Sequence, residues 1–331
     1  MELTPMIQEA VTVASALRTS LNRVIRGRDD TISLVVAAIL ADGHALLEDY
    51  PGSGKTTLAK TLGRLISADE GGNKDCLPFR RIQFTPDLLP GDVLGVTVFE
   101  PQTGTFRFQH GPIFAHVVLA DEINRTGPKV QAAFLECMAE KQVTIDNVTR
   151  PIDDLFFVLG TQNPLDIAGT YPLPIVQLDR FLMKIPMPYV SASVEEEILR
   201  DAATIHHDVE TIIPVVTRSA ILAARRETRA VHLSPAIRQC IIAIVQATRT
   251  SPLIQFGAST RAALMLQAAA QAWAVIQSRD YVTEDDIKQV YSPVLLHRLK
   301  FHPGPQEPKQ VLEKIVLPHL ERLISSQGRQ G

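Results

Sequence analysis

Residues 46 to 60 read LLEDYPGSGKTTLAK, one letter short of the phosphate-loop pattern G-x-x-x-x-G-K-[ST]. Gly54, Lys55 and Thr56 fill the last three positions, and Asp49 stands where the first glycine belongs. A loop of this kind constrains the fold strongly. It works where a strand ends and a helix begins, because there backbone N–H groups can surround an anion. Gly52 and Gly54 give the backbone freedom and leave room for close approach. Lys55 would meet the outer phosphates of a nucleotide, and Thr56 would offer a hydroxyl to Mg²⁺. Asp49 begins the turn, where a side chain can point away from the phosphates, so the missing glycine is a weaker loss than Gly54 would be. On this stretch alone, the alternative is a glycine-bearing turn that happens to precede a helix.

A second stretch decides between them. VVLADE is an apolar run ending in Asp121 and Glu122. Phosphoryl transfer to water needs one carboxylate to organise Mg²⁺ and another group to orient the attacking water. Asp121 suits the first role and Glu122 the second. An isolated acid pair would read as a solvated strand end; downstream of a phosphate loop it reads as catalytic. A third run ends in GTQNP, where Asn163 is either a partner for the γ-phosphate or attacking water, or a plain Asn-Pro turn.

Up to about residue 190, strand-like runs alternate with helical patterns. GHALLED, AHVVLADE and DLFFVLGTQNP are short apolar runs, while TTLAKTLGRLI and KVQAAFLECMAE carry helical stripes. The pattern predicts a mostly parallel sheet with helices on both faces. Two interruptions read as hairpins: GVTVFEPQTGTFRF, and KQVTIDNVTRPI with its turn at Asp146-Asn147. Beyond KIPMPYVSAS the signals become almost wholly helical. Ser193 with Glu196 predicts a capping box, and Ser234, Ser259 and Thr283 open further helices. The boundary falls near residues 188 to 192, giving an α/β core over 1–190 and an all-helical domain over 191–331.

Composition narrows the function. The net charge of −3 and pI near 6.3 supply no electrostatic reason for nucleic acid as the main partner. VVAAILA is too short to span a bilayer, and the N-terminal residues read as the start of a helix, not as a secretion signal. The three cysteines are far apart, without metal-ligand spacing or a disulfide pattern, and Cys137 falls in an apolar helical stripe. A cytoplasmic protein is expected.

Taken in order, RIQFTPDLLPGDVLG, GPIFAHVVLADEINR, TQNP, GTYPLPIVQLDRFLMKI and GASTRAAL resemble the MoxR family of AAA+ ATPases. The likeness extends over essentially the whole chain. The family's loop resembles LLEDxPGxGKT, so Asp49 is a family habit. The resemblance implies a P-loop AAA+ αβα core with a parallel sheet, followed by an all-helical lid. It implies ATP and Mg²⁺ bound by Pro51, Gly52, Ser53, Gly54, Lys55, Thr56, Thr57 and Asp121, with Thr56 and Asp121 toward the metal. Val24 and Ile25, in VIRG, would meet the adenine. Asn163 would be sensor 1, Arg180 in LDRF the arginine finger that reaches a neighbouring subunit, and Arg261 in GASTR sensor 2. Because Arg261 lies just inside a helix capped by Ser259, its guanidinium and the helix's positive end are expected to face the same phosphates.

The resemblance further implies a ring of identical subunits, client proteins that the ring remodels or matures by cofactor or metal insertion, and a partner with a von Willebrand factor A domain. A hexamer is the expected ring. Two departures stand out: Gly160 where the family tends to have alanine, and Ile175 in place of an acid. Two rival readings are a nucleic-acid-dependent AAA+ motor and a small-molecule kinase. A motor would want a basic, aromatic-bearing groove, and the first hairpin offers two phenylalanines with one arginine. A kinase would not need Arg180 acting across subunits.

Overall fold

The computed structural model describes residues 7–49, 52–69, 76–162 and 170–327. Pro51 and Asn163, both expected at the site, lie outside the described residues, as does the side chain of Asp49. Helices α1 (Gln8–Val24) and α2 (Asp29–Leu40) lead into strand β1 (Ala45–Asp49). Then come α3 (Lys55–Arg64), the short β2 (Ile66–Ser67), β3 (Leu77–Gln83) and α4 (Pro90–Leu94). The first hairpin is β4 (Gly95–Glu100) with β5 (Thr105–His110), followed by β6 (Ala115–Asp121) and α5 (Pro128–Glu140). The second is β7 (Gln142–Ile145) with β8 (Val148–Pro151), turning at Asp146 and Asn147, which both take positive φ. β9 (Phe157–Gln162), α6 (Ile175–Leu178) and β10 (Met183–Met187) complete this half.

The remainder is helical: α7 (Ala192–Arg200), α8 (Ala202–Thr211), α9 (Arg218–Ala230), α10 (Pro235–Thr250), α11 (Thr260–Ile276), α12 (Glu284–Leu295) and α13 (Pro308–Gln327). Three very short strands interrupt it, β11 (Val216–Thr217), β12 (Ile254–Phe256) and β13 (Lys300–Phe301). β11 pairs with β2, and β12 with β13.

The main sheet has the order β10-β1-β9-β6-β3, and each adjacent pair is parallel. β6 is buried at every position and β9 at all but its last, as strands covered on both faces must be. Their side chains alternate between two cores. Leu47, Val117, Leu119, Phe157 and Leu159 face a core shared with α1, α2, α3 and the later helices. Leu46, Val118, Ala120 and Val158 face a second core closed by Phe134, Leu135 and Met138 of α5. Cys137 is a small buried member of that stripe. Gly160 has a packing reason: a Cβ there would stand 3.0 Å from the Phe181 ring, so the side chain of LDRF fills the space an alanine would need.

Three predicted caps hold. Ser234 and Ser259 accept from Ile237 N and Ala262 N, and Thr283 forms a capping box with Asp286. The predicted box at Ser193 and Glu196 is not formed. α7 begins earlier, with Ser191 in extended conformation at the N-cap and no side-chain cap. Ser193 therefore lies inside the first turn, and its hydroxyl meets that of Ser191 at 2.9 Å.

Candidate functional site

Between β1 and α3, Gly52 and Gly54 take φ values of 85° and 92°. Those left-handed values are open to glycine and costly for other residues. A Cβ on either would meet nothing within 4 Å, so backbone conformation, not crowding, calls for glycine here. Gly54 is the N-cap of α3, and no side chain caps that helix. Its first-turn N–H groups and the positive end of its dipole are thus turned to the loop, the arrangement that binds anions. Ser53 Oγ is buried with no hydrogen-bond partner among the described residues. A buried hydroxyl left so is costly, and a phosphate oxygen is a partner that fits it.

A cavity of about 420 Å³ adjoins the loop. Gly52, Ser53, Gly54 and Thr57 line one side, and Val24, Ile25, Tyr189, Ile198 and Leu199 form much of the remainder. Its largely apolar wall, edged by loop N–H groups, suits a planar base carrying phosphates. Arg28 donates to Pro188 O at 2.8 Å and so ties the segment after α1 to the chain leaving β10.

The acids stand at the same edge of the sheet. Register sets Gln83 of β3 beside Asp121 of β6, and Leu47 of β1 beside Thr161 of β9. Thr161 Oγ1 donates to Asp121 Oδ1 at 2.7 Å and accepts from Glu122 N at 2.8 Å. Arg81 grips Asp121 Oδ2 through Nε and Nη2, at 3.1 and 2.6 Å. Glu122 takes a positive φ of 57°, uncommon for a residue with a side chain. Its carboxylate accepts from Gln83 Nε2 at 2.8 Å and pairs with Arg125 at 3.2 Å.

The two arginines lie elsewhere. Arg180 and Arg261 line one cleft with Gly43, His44, Met138 and Leu182. Gly43 and His44 precede β1 and Leu182 precedes β10, so this cleft sits at the N-terminal edge of the sheet. The loop sits at the C-terminal edge, and β1 between them is about 13 Å long at ~3.3 Å per residue. Arg261 therefore does not face the loop of its own chain, although its position inside a capped helix predicts that it should. Its cap is as predicted, but its guanidinium is drawn to Asp179, at 3.6 Å. Arg180 donates from Nη1 to Leu135 O.

Residues 44–183 match the profile of the ATPase family associated with various cellular activities (AAA), and residues 246–316 that of the AAA lid domain. Chaperone MoxR1 of Mycobacterium tuberculosis is 37% identical over 84% of this chain and 73% of its own length. The chain belongs to the MoxR family of AAA+ ATPases. YeaC of Bacillus subtilis, an uncharacterized protein, is 44% identical over 91% of this chain and 89% of its own. The crystal structure of a candidate ATPase from Cytophaga hutchinsonii superposes with a TM-score of 0.83 and 36% identity, covering 94% of this chain and 95% of that one. This MoxR-family chain is an ATP-hydrolysing enzyme with a nucleotide-binding AAA core. Among the described residues, no helix is long and apolar enough to cross a membrane.

Within this MoxR-family site, Thr161, Arg81, Gln83 and Arg125 were not singled out by sequence reasoning. All four lie inside the stretches that carry the resemblance, next to the residues that were. Among the described residues, one other cluster has metal-ligand chemistry: Cys76, His116 and Asp153 bring donor atoms within 4.8 Å of one another. Asp153 is already held by Arg218 Nε through both oxygens, at 2.8 and 3.0 Å. Burial also pushes the Cys76 thiol up to about 12. The cluster lies at the N-terminal edge of the sheet, away from the loop and its acids.

Proposed function

We propose that the chain hydrolyses ATP in a Mg²⁺-dependent site shared between subunits of a homo-oligomeric ring, a hexamer, in the cytoplasm. The observation that carries this reading is the separation of the two halves of the site. The phosphate loop and both acids gather at one edge of the sheet, while Arg180 and Arg261 lie at the other, beyond reach of that loop. Head-to-tail contacts around a ring bring one edge of a subunit against the opposite edge of the next.

In this reading Lys55 and the N–H groups of the loop and α3 hold the β- and γ-phosphates, with Pro51, Gly52, Ser53, Gly54 and Thr57 shaping the cradle. Val24 and Ile25 pack against adenine. Thr56 and Asp121 offer a hydroxyl and a carboxylate, oxygen donors suited to a hard cation, and Mg²⁺ held there supplies charge neutralisation on the transferring phosphoryl group. Glu122 orients the attacking water and takes up its proton. Asn163 supports the water or γ-phosphate. Arg180, joined by Arg261, meets the negative charge that develops on a neighbour's γ-phosphate.

The energy of turnover drives chaperone-like remodelling or maturation of a client protein, alongside a partner with a von Willebrand factor A domain. The name of the Mycobacterium relative supports the chaperone role. So does the first hairpin, which exposes Val96, Val98, Phe99 and Phe106, a surface better suited to protein than to a phosphate backbone. Two variants test the hydrolytic reading. Lys55→Ala should weaken ATP binding about 10- to 100-fold, the size of a lost charged hydrogen bond. Glu122→Gln should keep ATP affinity and lose about 100-fold or more in turnover. Turnover of Glu122→Gln at the wild-type rate would refute the assignment.

A further inference from the structure

The lid sends one buried cation into the segment that carries Arg180. Arg298, in the turn after α12, has a side chain 2% exposed. Its Nε donates to Asp179 Oδ1 at 2.8 Å. Nη1 donates to Leu182 O at 3.2 Å, and Nη2 to Asp179 O at 3.3 Å and to Phe181 O. A single guanidinium thus binds the carboxylate of Asp179 and three backbone carbonyls from residues 179 to 182. The preceding residue lies alongside, with His297 Nε2 3.1 Å from Phe181 O and 2.7 Å from Arg298 Nη1. The other oxygen of Asp179 faces Arg261 Nε at 3.6 Å.

Removing a guanidinium from water is expensive unless every donor finds an acceptor and an opposite charge lies close. Here the segment 179–182 provides the charge and most of the acceptors, and Val294 O of α12 takes the remaining Nη1 donor. Burial pulls Arg298 down to about 10, against the opposing pull of Asp179. Such a contact is poorly tolerant of displacement: if the lid shifts against the core, either the carbonyls follow or a buried charge loses its partners. Arg180 sits in the middle of the bound segment, and Arg261 shares Asp179 with Arg298.

We propose that Arg298 is a positioning residue, acting through Asp179 and the 179–182 backbone to set the two arginines that a subunit offers to its neighbour. The proposal rests on the shared-site reading above. It makes the lid a part of the donor side of the site: movement of the lid is transmitted to Arg180 without any contact between Arg298 and nucleotide.

Mixing experiments separate this from a merely structural role. Arg298→Lys and Asp179→Asn, each alone, should bind a fluorescent ATP analogue as the wild type does. Turnover should fall up to about 100-fold, as when a reacting group is displaced by about an ångström. Arg298→Lys mixed with Lys55→Ala should regain activity, because the second chain supplies a well-placed Arg180 to the intact loop of the first. Mixed with Arg180→Ala it should regain none, since both chains are defective donors. The reverse pattern would show that Arg298 serves its own chain's loop and would overturn the proposal. So would wild-type turnover, or failure of both variants to recover in either mixture. A control mixture of Lys55→Ala with Arg180→Ala tells the two levels apart. If that control recovers and the Arg298 mixtures do not, the positioning role alone is wrong; if the control fails, the shared site falls and this role with it.

Discussion

One hydroxyl, that of Thr161, serves both acids of the site. It donates to Asp121 and accepts from the backbone of Glu122, a residue already held in the left-handed region. Thr161→Val keeps the shape and leaves both partners unsatisfied, which costs about 1–3 kcal/mol. Turnover should drop while ATP affinity is kept; a denaturation midpoint and a turnover measurement on one sample check both parts. His44 makes a second residue-level case. Val158 N donates to its Nδ1, so the ring proton is on Nε2, facing Met138 O. Burial lowers its pKa from 6.5 to about 4. Between those values the unfolded chain takes up a proton that the folded chain refuses, so stability is full above 6.5 and declines as the pH falls toward 4. His116 and His297 shift the same way. In urea titrations from pH 7 to 5, His44→Gln should show a shallower decline than wild type, and an identical slope would contradict the assignment. Neither residue was legible beforehand. Thr161 was hidden beside the more suggestive Asn163, and the role of His44 depends on contacts from residues 94 and 114 positions away.

At the scale of elements, three buried strands were legible because continuous apolar runs are what two covered faces require. β3 was not, since LPFRRIQ lies at the sheet's edge and is mostly exposed. Its exposed Arg81 and Gln83 are the residues that reach the acids, so the same feature that hid the strand gives it its place in the site. The hairpins were legible from their turns. In the first, Glu100 to Thr103 are partly or fully exposed and lie at the tip. Replacing them with a short Gly/Ser turn should leave folding and basal ATPase nearly intact, because little packing is lost there. Client-stimulated turnover should disappear. Measuring basal and client-stimulated ATPase on one preparation decides the matter: unchanged stimulation would make the hairpin a passive surface, and equal loss of both would assign it to ring assembly.

Across the whole molecule, the parallel sheet sets two edges apart, the loop and acids at one and Arg180 and Arg261 at the other. The loop with its acids was readable from motif spacing, since every strand that carries them ends on the same side. The placement of Arg261 was not. Its helix cap was foreseen correctly, but the direction of the side chain is decided by Asp179, far off in sequence and itself anchored by the buried Arg298. In the proposed reading, that arrangement leaves each chain with an incomplete site for its own nucleotide. The most direct test mixes Lys55→Ala with Arg180→Ala, each nearly inactive alone, under conditions where mixed rings are shown to form. The account predicts recovery to about a quarter of wild-type turnover, because random assembly sets an intact Lys55 against an intact Arg180 at about one interface in four. Mixed rings that remain as inactive as their parents would contradict it.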